Sequence, residues 1–396
     1  MKKKYTVSDF QVPRDRFTLG GRMYRTKKKE SGLTPVILCH GFMSAAPEME
    51  PYAKALAKAG YCAFVFEFAG GSHGKLSTGE TTDMSILTEV KDLEAMMAYV
   101  KSLDFIDYDK LIIGGGSQGG FVSGLTAAKH PEEVKKLILM YPALCIPDDC
   151  RSGKNFDMEY DPQNIPDIIE GKFMKMSGNL PREMVGVDAV DTISEYPGEI
   201  LLMCGEKDPI VNYSYMTQLV AALLMKRGCS KVADSGLEFF PLRDAEHGFK
   251  PHEQSWVISH MLGWLSGLRE ALTIDVDILG VENKAFGVHT ITTIPFNAEC
   301  SGDWFSGKNR PGSKDVQKRT SGKVRECKAD YVMDGEDYTG TPCWVHVINR
   351  DTGEGWRPFV DTNSEALSFL KRSKRVTIAE GGPSGLVIHI LADPTK

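Results

Sequence analysis

Leu111-Ile112-Ile113-Gly114-Gly115-Gly116-Ser117-Gln118-Gly119-Gly120-Phe121 is the stretch on which the reading of this chain turns. An apolar, β-branched run stops in glycine, presents one serine, and leaves through glycine again. Such a run reads as a buried strand, because branched side chains favour pleated backbone and the run has no polar face. The glycines then call for a turn too tight for side chains, followed by a helix. Gly115, Ser117 and Gly119 fit G-x-S-x-G, an elbow that lifts a serine hydroxyl above a sheet. In a chain with 39 glycines among 396 residues the motif alone is weak evidence. Its surroundings have to carry it.

Those surroundings repeat the pattern of apolar strand followed by helix. Pro35–Cys39 is a buried strand running into His40-Gly41-Phe42-Met43, with a helix over 48–59 ended by Gly60. Tyr61–Phe68 is another strand, opening into the glycine-rich loop Ala69–Gly74. Leu87, Val90, Leu93, Met97 and Val100 recur at spacings of three and four, which predicts a helix over 82–103. A helix from Gln118 to Lys129 follows the elbow, and His130-Pro131 stops it. Val134–Tyr141, Glu199–Cys204 and Leu237–Leu242 read as strands, with helices at 212–227 and 252–270. At the start, residues 15–29 read as a β-hairpin turning at Gly20-Gly21. Continuous apolar strands alternating with helices imply the α/β class: a mostly parallel sheet covered by helices on both faces. Ligands of such sheets bind at the carboxyl ends of the strands.

Residues 146–195 break the rhythm with Pro147, Pro162, Pro166 and Pro181, many acids, and the aromatics Phe156, Tyr160 and Phe173. Asn164 is placed to cap a short helix carrying Ile165, Ile168, Ile169 and Phe173. A long insertion at this edge of a sheet reads as a lid, the alternative being a plain surface excursion. After Leu272 short β-type segments separated by turn residues take over, with only Ser364–Leu370 hinting at a helix. This predicts two domains: a catalytic domain over 1–272, and an all-β barrel or sandwich over 273–396.

Net charge is −6, which argues against nucleic acid as a partner. Positive charge at Met1–Lys4 has no apolar stretch behind it, so no secretory signal is expected. No apolar run approaches the roughly 18 residues that span a bilayer, so no membrane partner is expected. Nine scattered cysteines without C-x-x-C spacing read as reduced thiols of a cytoplasmic protein, not as a disulfide frame or a metal site. The oligomeric state stays open, a homo-oligomer included.

A serine hydroxyl needs a base, a group that orients the base, and donors for the developing oxyanion. His247, in Asp244-Ala245-Glu246-His247-Gly248-Phe249, follows the last strand of the first domain and is the candidate base. Asp208, in Gly205-Glu206-Lys207-Asp208-Pro209, leaves another strand end and is the candidate orienting acid, with Glu206 as the alternative. The backbone N–H groups of Phe42 and Gln118 are the candidate oxyanion donors. His40 reads as a brace for its loop. No cofactor and no metal are called for.

The order Ser117, Asp208, His247, with the elbow, resembles the α/β-hydrolase superfamily over residues 15–272. Within it, His40-Gly41-Phe42, Gly70-Gly71-Ser72-His73-Gly74, Gly115–Gly120 and the insertion after Tyr141-Pro142-Ala143 resemble the bacterial cinnamoyl (feruloyl) esterases. That resemblance implies a serine esterase working through an acyl-enzyme, a small-molecule ester as substrate, and a lid that holds an aromatic acyl group. A lipase-like or peptidase-like hydrolase of another acyl group, or a ligand-binding protein without turnover, are the alternatives. Ser301-Gly302-Asp303-Trp304, Ala329-Asp330-Tyr331 and Val347-Ile348-Asn349-Arg350 resemble an uncharacterised family of small bacterial β-barrel domains. Asp303, Trp304, Asp330 and Arg350 read either as pocket-lining residues or as turn and barrel-end residues.

Overall fold

The computed structural model describes residues 4–351, 356–383 and 385–396, so Met1–Lys3 of the basic N-terminal stretch lie outside the described residues. The chain divides into two compact units, Met1–Lys250 and Pro251–Lys396.

In the first unit the apolar runs become the centre of one sheet. Its strands are β1 (Tyr5–Arg14), β2 (Phe17–Thr26), β3 (Pro35–Cys39), β4 (Cys62–Phe66), β5 (Ile112–Gly116), β6 (Lys136–Met140), β7 (Glu199–Gly205) and β8 (Leu237–Leu242). They lie in the order β1-β2-β4-β3-β5-β6-β7-β8. The β1–β2 and β2–β4 pairings are antiparallel, and all the others are parallel. Every residue of β3, β4 and β5 is buried, as expected of parallel strands covered on both faces. The covering helices include α1 (Glu50–Ala59), α2 (Ile86–Lys101), α3 (Gln118–Lys129) and α4 (Tyr213–Lys226). Ser85 caps α2, accepting the Thr88 N–H at 3.2 Å while the Thr88 hydroxyl takes the Ser85 N–H at 2.8 Å.

Two expectations are corrected here. The first hairpin turns at Asp15-Arg16, and Gly20-Gly21 lies inside β2. Those glycines serve close packing: a Cβ would stand 2.1 Å from the Leu76 carbonyl oxygen at Gly20 and 2.3 Å from the Val65 carbonyl oxygen at Gly21. The stretch after Asn164 is not helical. It contributes Ile168–Glu170, which pairs with Lys175–Ser177 as a small hairpin. Gly171 disfavours a helix running on to Phe173, and the branched pair Ile168-Ile169 suits a strand. The rest of the insertion is short helices, loops and a second small strand pair, Lys154–Asn155 with Met158–Glu159, and Cys150, Met158, Ile169, Met176, Leu180 and Met184 root it in the main core.

The second unit opens with α5 (Pro251–Leu265), followed by β9 (Arg269–Ile278), β10 (Glu282–Phe286), β11 (His289–Cys300), β12 (Phe305–Asn309) and β13 (Lys314–Thr320). Then come β14 (Lys323–Asp337), β15 (Pro342–Asp351), β16 (Arg357–Thr362), β17 (Arg375–Gly382) and β18 (Gly385–Ala392), with one helical turn at Phe369–Arg372. Strands β11, β12, β14 and β13 close on one another in a ring, and the sheet runs on through β9, β18 and β17 on one side and β15 and β16 on the other. The boundary between the units falls ahead of α5, not at 272/273 where the composition changes. The helix packs on β17, with Trp256 against the Leu268, Ile378 and Leu391 cluster and Gly263 close to Leu391. Composition marks where strands replace helices, whereas packing decides which unit a helix joins. No helix among the described residues is long and apolar enough to cross a membrane.

Candidate active site

β5 brings Gly116 to the carboxyl edge of the sheet and α3 begins at Gln118, so Ser117 stands alone between strand and helix. Its φ of 52° and ψ of −121° lie outside the regions open to ordinary L-residues. Such backbone costs on the order of 1–3 kcal/mol and persists only where its surroundings over-determine it. Here the Ser117 N–H donates to the Met140 carbonyl at 3.0 Å, while the Ser117 carbonyl accepts from Phe121 at 3.1 Å and Ala143 at 3.0 Å. The elbow glycines let α3 pass close over β3: a Cβ on Gly119 would stand 2.3 Å from the His40 carbonyl oxygen.

The structure brings Ser117, His247 and Asp208 together from three strand ends. His247 Nε2 lies 2.9 Å from Ser117 Oγ, and His247 Nδ1 lies 2.7 Å from Asp208 Oδ2. Gly248, at φ 76°, supplies the bend that follows the imidazole. Asp208 is fixed from its other side, where Oδ1 accepts the N–H groups of Ile210 and Val211, both at 2.8 Å. The Asp208 side chain is 2% exposed and that of His247 14%, so bulk water competes little for these bonds. With Nδ1–H given to the carboxylate, Nε2 keeps its lone pair for the serine hydroxyl. Glu206, the alternative acid, is exposed and outside this array.

The Gln118 N–H is a first-turn amide of α3 with no helical carbonyl to meet. Phe42 follows Gly41, whose backbone runs so near the elbow serine that a Cβ there would stand 3.2 Å from Ser117 Cβ. The Gly41 N–H donates to Glu48 Oε2 at 3.0 Å, which holds this loop in place. His40 is a brace: Nε2 accepts the Phe68 N–H at 3.1 Å and Nδ1 donates to the Gly41 carbonyl at 2.7 Å. Burial lowers its pKa to about 4, so it stays neutral in that role.

The family profile for the alpha/beta hydrolase fold matches residues 34–166, from the start of β3 into the insertion. Together with the strand order and the elbow, this decides the fold. The first unit is an α/β-hydrolase fold. Among solved structures, Est1E from Butyrivibrio proteoclasticus with ferulic acid bound aligns at a TM-score of 0.57 and 23% identity, over 65% of this chain and 98% of its own. DcsB in complex with its substrate analogue aligns at 0.51 and 15% identity, over 66% and 98%. Hypothetical protein PA2218 from Pseudomonas aeruginosa aligns at 0.50 and 14% identity, over 67% and 94%. At these identities the likeness establishes the fold. Among curated proteins none matches the sequence.

The α/β-hydrolase unit also sets side chains around Ser117 that pattern reading passes over. Tyr141, at φ 38°, packs its ring edge-on against His247 at 5.0 Å and Phe249 at 4.9 Å. Burial pushes its hydroxyl pKa well up, so the ring is a neutral wall for the imidazole. Glu89 is fully buried behind the elbow and accepts the Gln118 side-chain N–H at 2.8 Å. From the insertion, Phe156 stacks flat on Phe42, with ring centroids 4.1 Å apart and planes 10° apart. Tyr141 and Phe156 carry a signal visible in sequence only as aromatics near motifs; Glu48 and Glu89 carry none.

Of the four residues singled out in the β unit, Trp304 packs on Tyr338 and Phe369. Asp330 pairs with Lys328 and His346, and Arg350 with Glu326. Asp303 sits in an exposed bend.

Proposed function

We propose that this chain is a serine carboxylic-ester hydrolase that works through an acyl-enzyme, with hydroxycinnamoyl (feruloyl-type) esters as its substrates. The observation that carries the reading is the continuous hydrogen-bonded line from Ser117 Oγ through His247 to Asp208, at 2.9 and 2.7 Å, on an elbow held in strained backbone. Ser117 Oγ attacks the ester carbonyl as His247 Nε2 takes its proton. Asp208 holds the imidazole in the needed tautomer and balances the imidazolium. The Gln118 and Phe42 N–H groups receive the oxyanion. His247 returns the proton to the leaving alcohol, then draws one from water, which frees the acid from Ser117.

The choice of acyl group rests on the Phe42–Phe156 stack. It sets a flat aromatic surface beside one proposed oxyanion donor, and the insertion supplies half of it. Phe156 stays 53% exposed in this stack, and a planar conjugated acyl group suits its free aromatic surface better than a flexible aliphatic chain. The ferulic acid bound to Est1E, which shares the fold, agrees with this choice.

Two measurements test the reading. Ser117→Ala should reduce hydrolysis of methyl ferulate by at least about 10⁴-fold while thermal unfolding stays as in the parent chain. A fluorophosphonate probe should label Ser117 and no other residue. Retained turnover in the variant would end the mechanism. Faster turnover of short aliphatic esters than of methyl ferulate would end the assignment of substrate.

A further inference from the structure

The second unit contains a pocket of about 220 Å³ at one end of its inner layer. Strand register builds one wall as a single row: Ile294 pairs with Asp315, Asp315 with Ala329, and Ala329 with Asn349, across β11, β13, β14 and β15. Val276 and Ala379 belong to the facing wall, on β9 and β17. Alanines on both walls leave space that a larger side chain would fill. Deeper in the same layer the packing is tight, with Met333, Val345 and Val347 fully buried. Ile278, half exposed at the end of β9, marks the mouth.

The lining is mostly apolar; of its polar side chains, Gln317 donates to Asp315 and Asn349 accepts from the Thr377 hydroxyl at 2.8 Å, which leaves Tyr331 and Asp315. Tyr331 is 4% exposed and lies edge-on against Phe296, and its hydroxyl has no hydrogen-bond partner among the described residues. Asp315 Oδ2 accepts from Gln317 at 3.0 Å, but its other oxygen, Oδ1, is buried and has no such partner either. Because Asp315 lies opposite Ala329, Tyr331 is its diagonal neighbour on the same face, at a Cα separation of roughly 7–8 Å. An acceptor-only oxygen and a phenolic hydroxyl, both deprived of water, thus share one apolar chamber. A ligand hydroxyl lodged between them would donate to the first and accept from the second.

We propose that this pocket binds a small, uncharged, ring-containing phenol or alcohol, whose hydroxyl donates to Asp315 Oδ1 and accepts from Tyr331 Oη. An apolar cavity of roughly 150 Å³ is enough for benzene. The larger volume here takes a single ring with short substituents. An acid of the same size would set its own charge against the Asp315 carboxylate.

Isothermal titration of the full chain with 4-ethylphenol, ethylbenzene and 4-ethylbenzoate tests this. 4-Ethylphenol should bind, and each of the other two should bind about tenfold or more weakly by comparison. Tyr331→Phe should weaken 4-ethylphenol about tenfold and leave ethylbenzene unchanged. Ala329→Leu should abolish binding of both. Ala379→Leu does the same from the facing wall and decides the matter if the first variant does not fold. Absence of 4-ethylphenol binding, equal or tighter binding of 4-ethylbenzoate, or binding that survives a folded cavity-filling variant would each overturn the proposal.

Discussion

Glu89 lies one hydrogen bond behind Gln118, the residue that follows Ser117. Its carboxyl is fully buried, and burial raises its pKa well above the ordinary range, with the bond from Gln118 opposing and the charge of Asp92 adding to the rise. In the unfolded chain a glutamate ionises near about pH 4.3. Above that pH the folded state therefore binds more protons than the unfolded one, and stability falls as pH rises through the window that begins there. Glu89→Gln keeps an acceptor for Gln118 and removes the titration. Urea unfolding should find the variant close to the parent near about pH 4.5 and progressively more stable than it towards about pH 8. Parallel pH profiles for the two proteins would refute this. Sequence pattern singles out Ser117, Asp208 and His247, which the structure brings within hydrogen-bond reach of one another, because each stands where an apolar run ends. Glu89 looks like one more acid on a helix, since its partner is 29 residues away and only the fold joins them.

At the scale of elements the buried strands are legible and the insertion is not. β3, β4 and β5 are apolar throughout because both their faces are covered, so their composition alone declares them. In the insertion only isolated side chains such as Ile169 and Met176 turn inward, and two or three residues per strand leave no period to read. Gly20-Gly21 shows a further limit: a glycine that makes room for another backbone looks, in sequence, like a glycine that makes a turn. The insertion nonetheless places Phe156, 53% exposed and at φ 54°, flat on Phe42. A stacked pair of this kind contributes about 0.5–1.5 kcal/mol beyond its buried area. If an aromatic acyl group uses this surface, Phe156→Ala should raise KM for methyl ferulate about 3- to 10-fold. Its kinetics on a short acetate ester should not change. An equal loss on both esters would mean that Phe156 supports the Gly41-Phe42 loop rather than the acyl group.

At the scale of the whole molecule, the change from helices to short strands after Leu272 announces a second architecture, but not its closure or what secures it. The ring of β11, β12, β14 and β13 comes from long strands pairing with different neighbours along their length, which single-strand patterns do not encode. Nor does sequence single out His389, on β18. Its Nδ1 lies 2.5 Å from Glu270 Oε1 on β9, and its Nε2 lies 3.2 Å from Glu380 Oε2 on β17. Burial opposes the charge, but the two carboxylates outweigh it and raise the pKa to about 9. Both ring nitrogens then act as donors, and the imidazolium ties three adjacent strands together. Because the folded pKa lies above the unfolded value of about 6.5, this contribution is complete below about pH 6.5 and is lost as pH rises through the folded value. A shift of this size corresponds to a pH-dependent term on the order of 3 kcal/mol. Hydrogen-exchange protection of the β9 and β18 amides should therefore fall between about pH 6 and pH 9.5 in the parent chain. In His389→Gln it should start lower and stay flat across the same interval, because glutamine bonds to one carboxylate at any pH but carries no charge to lose. The same decline in both proteins would show that β9, β18 and β17 are held by their backbone ladders and apolar faces alone, with His389 a passenger between its two acids.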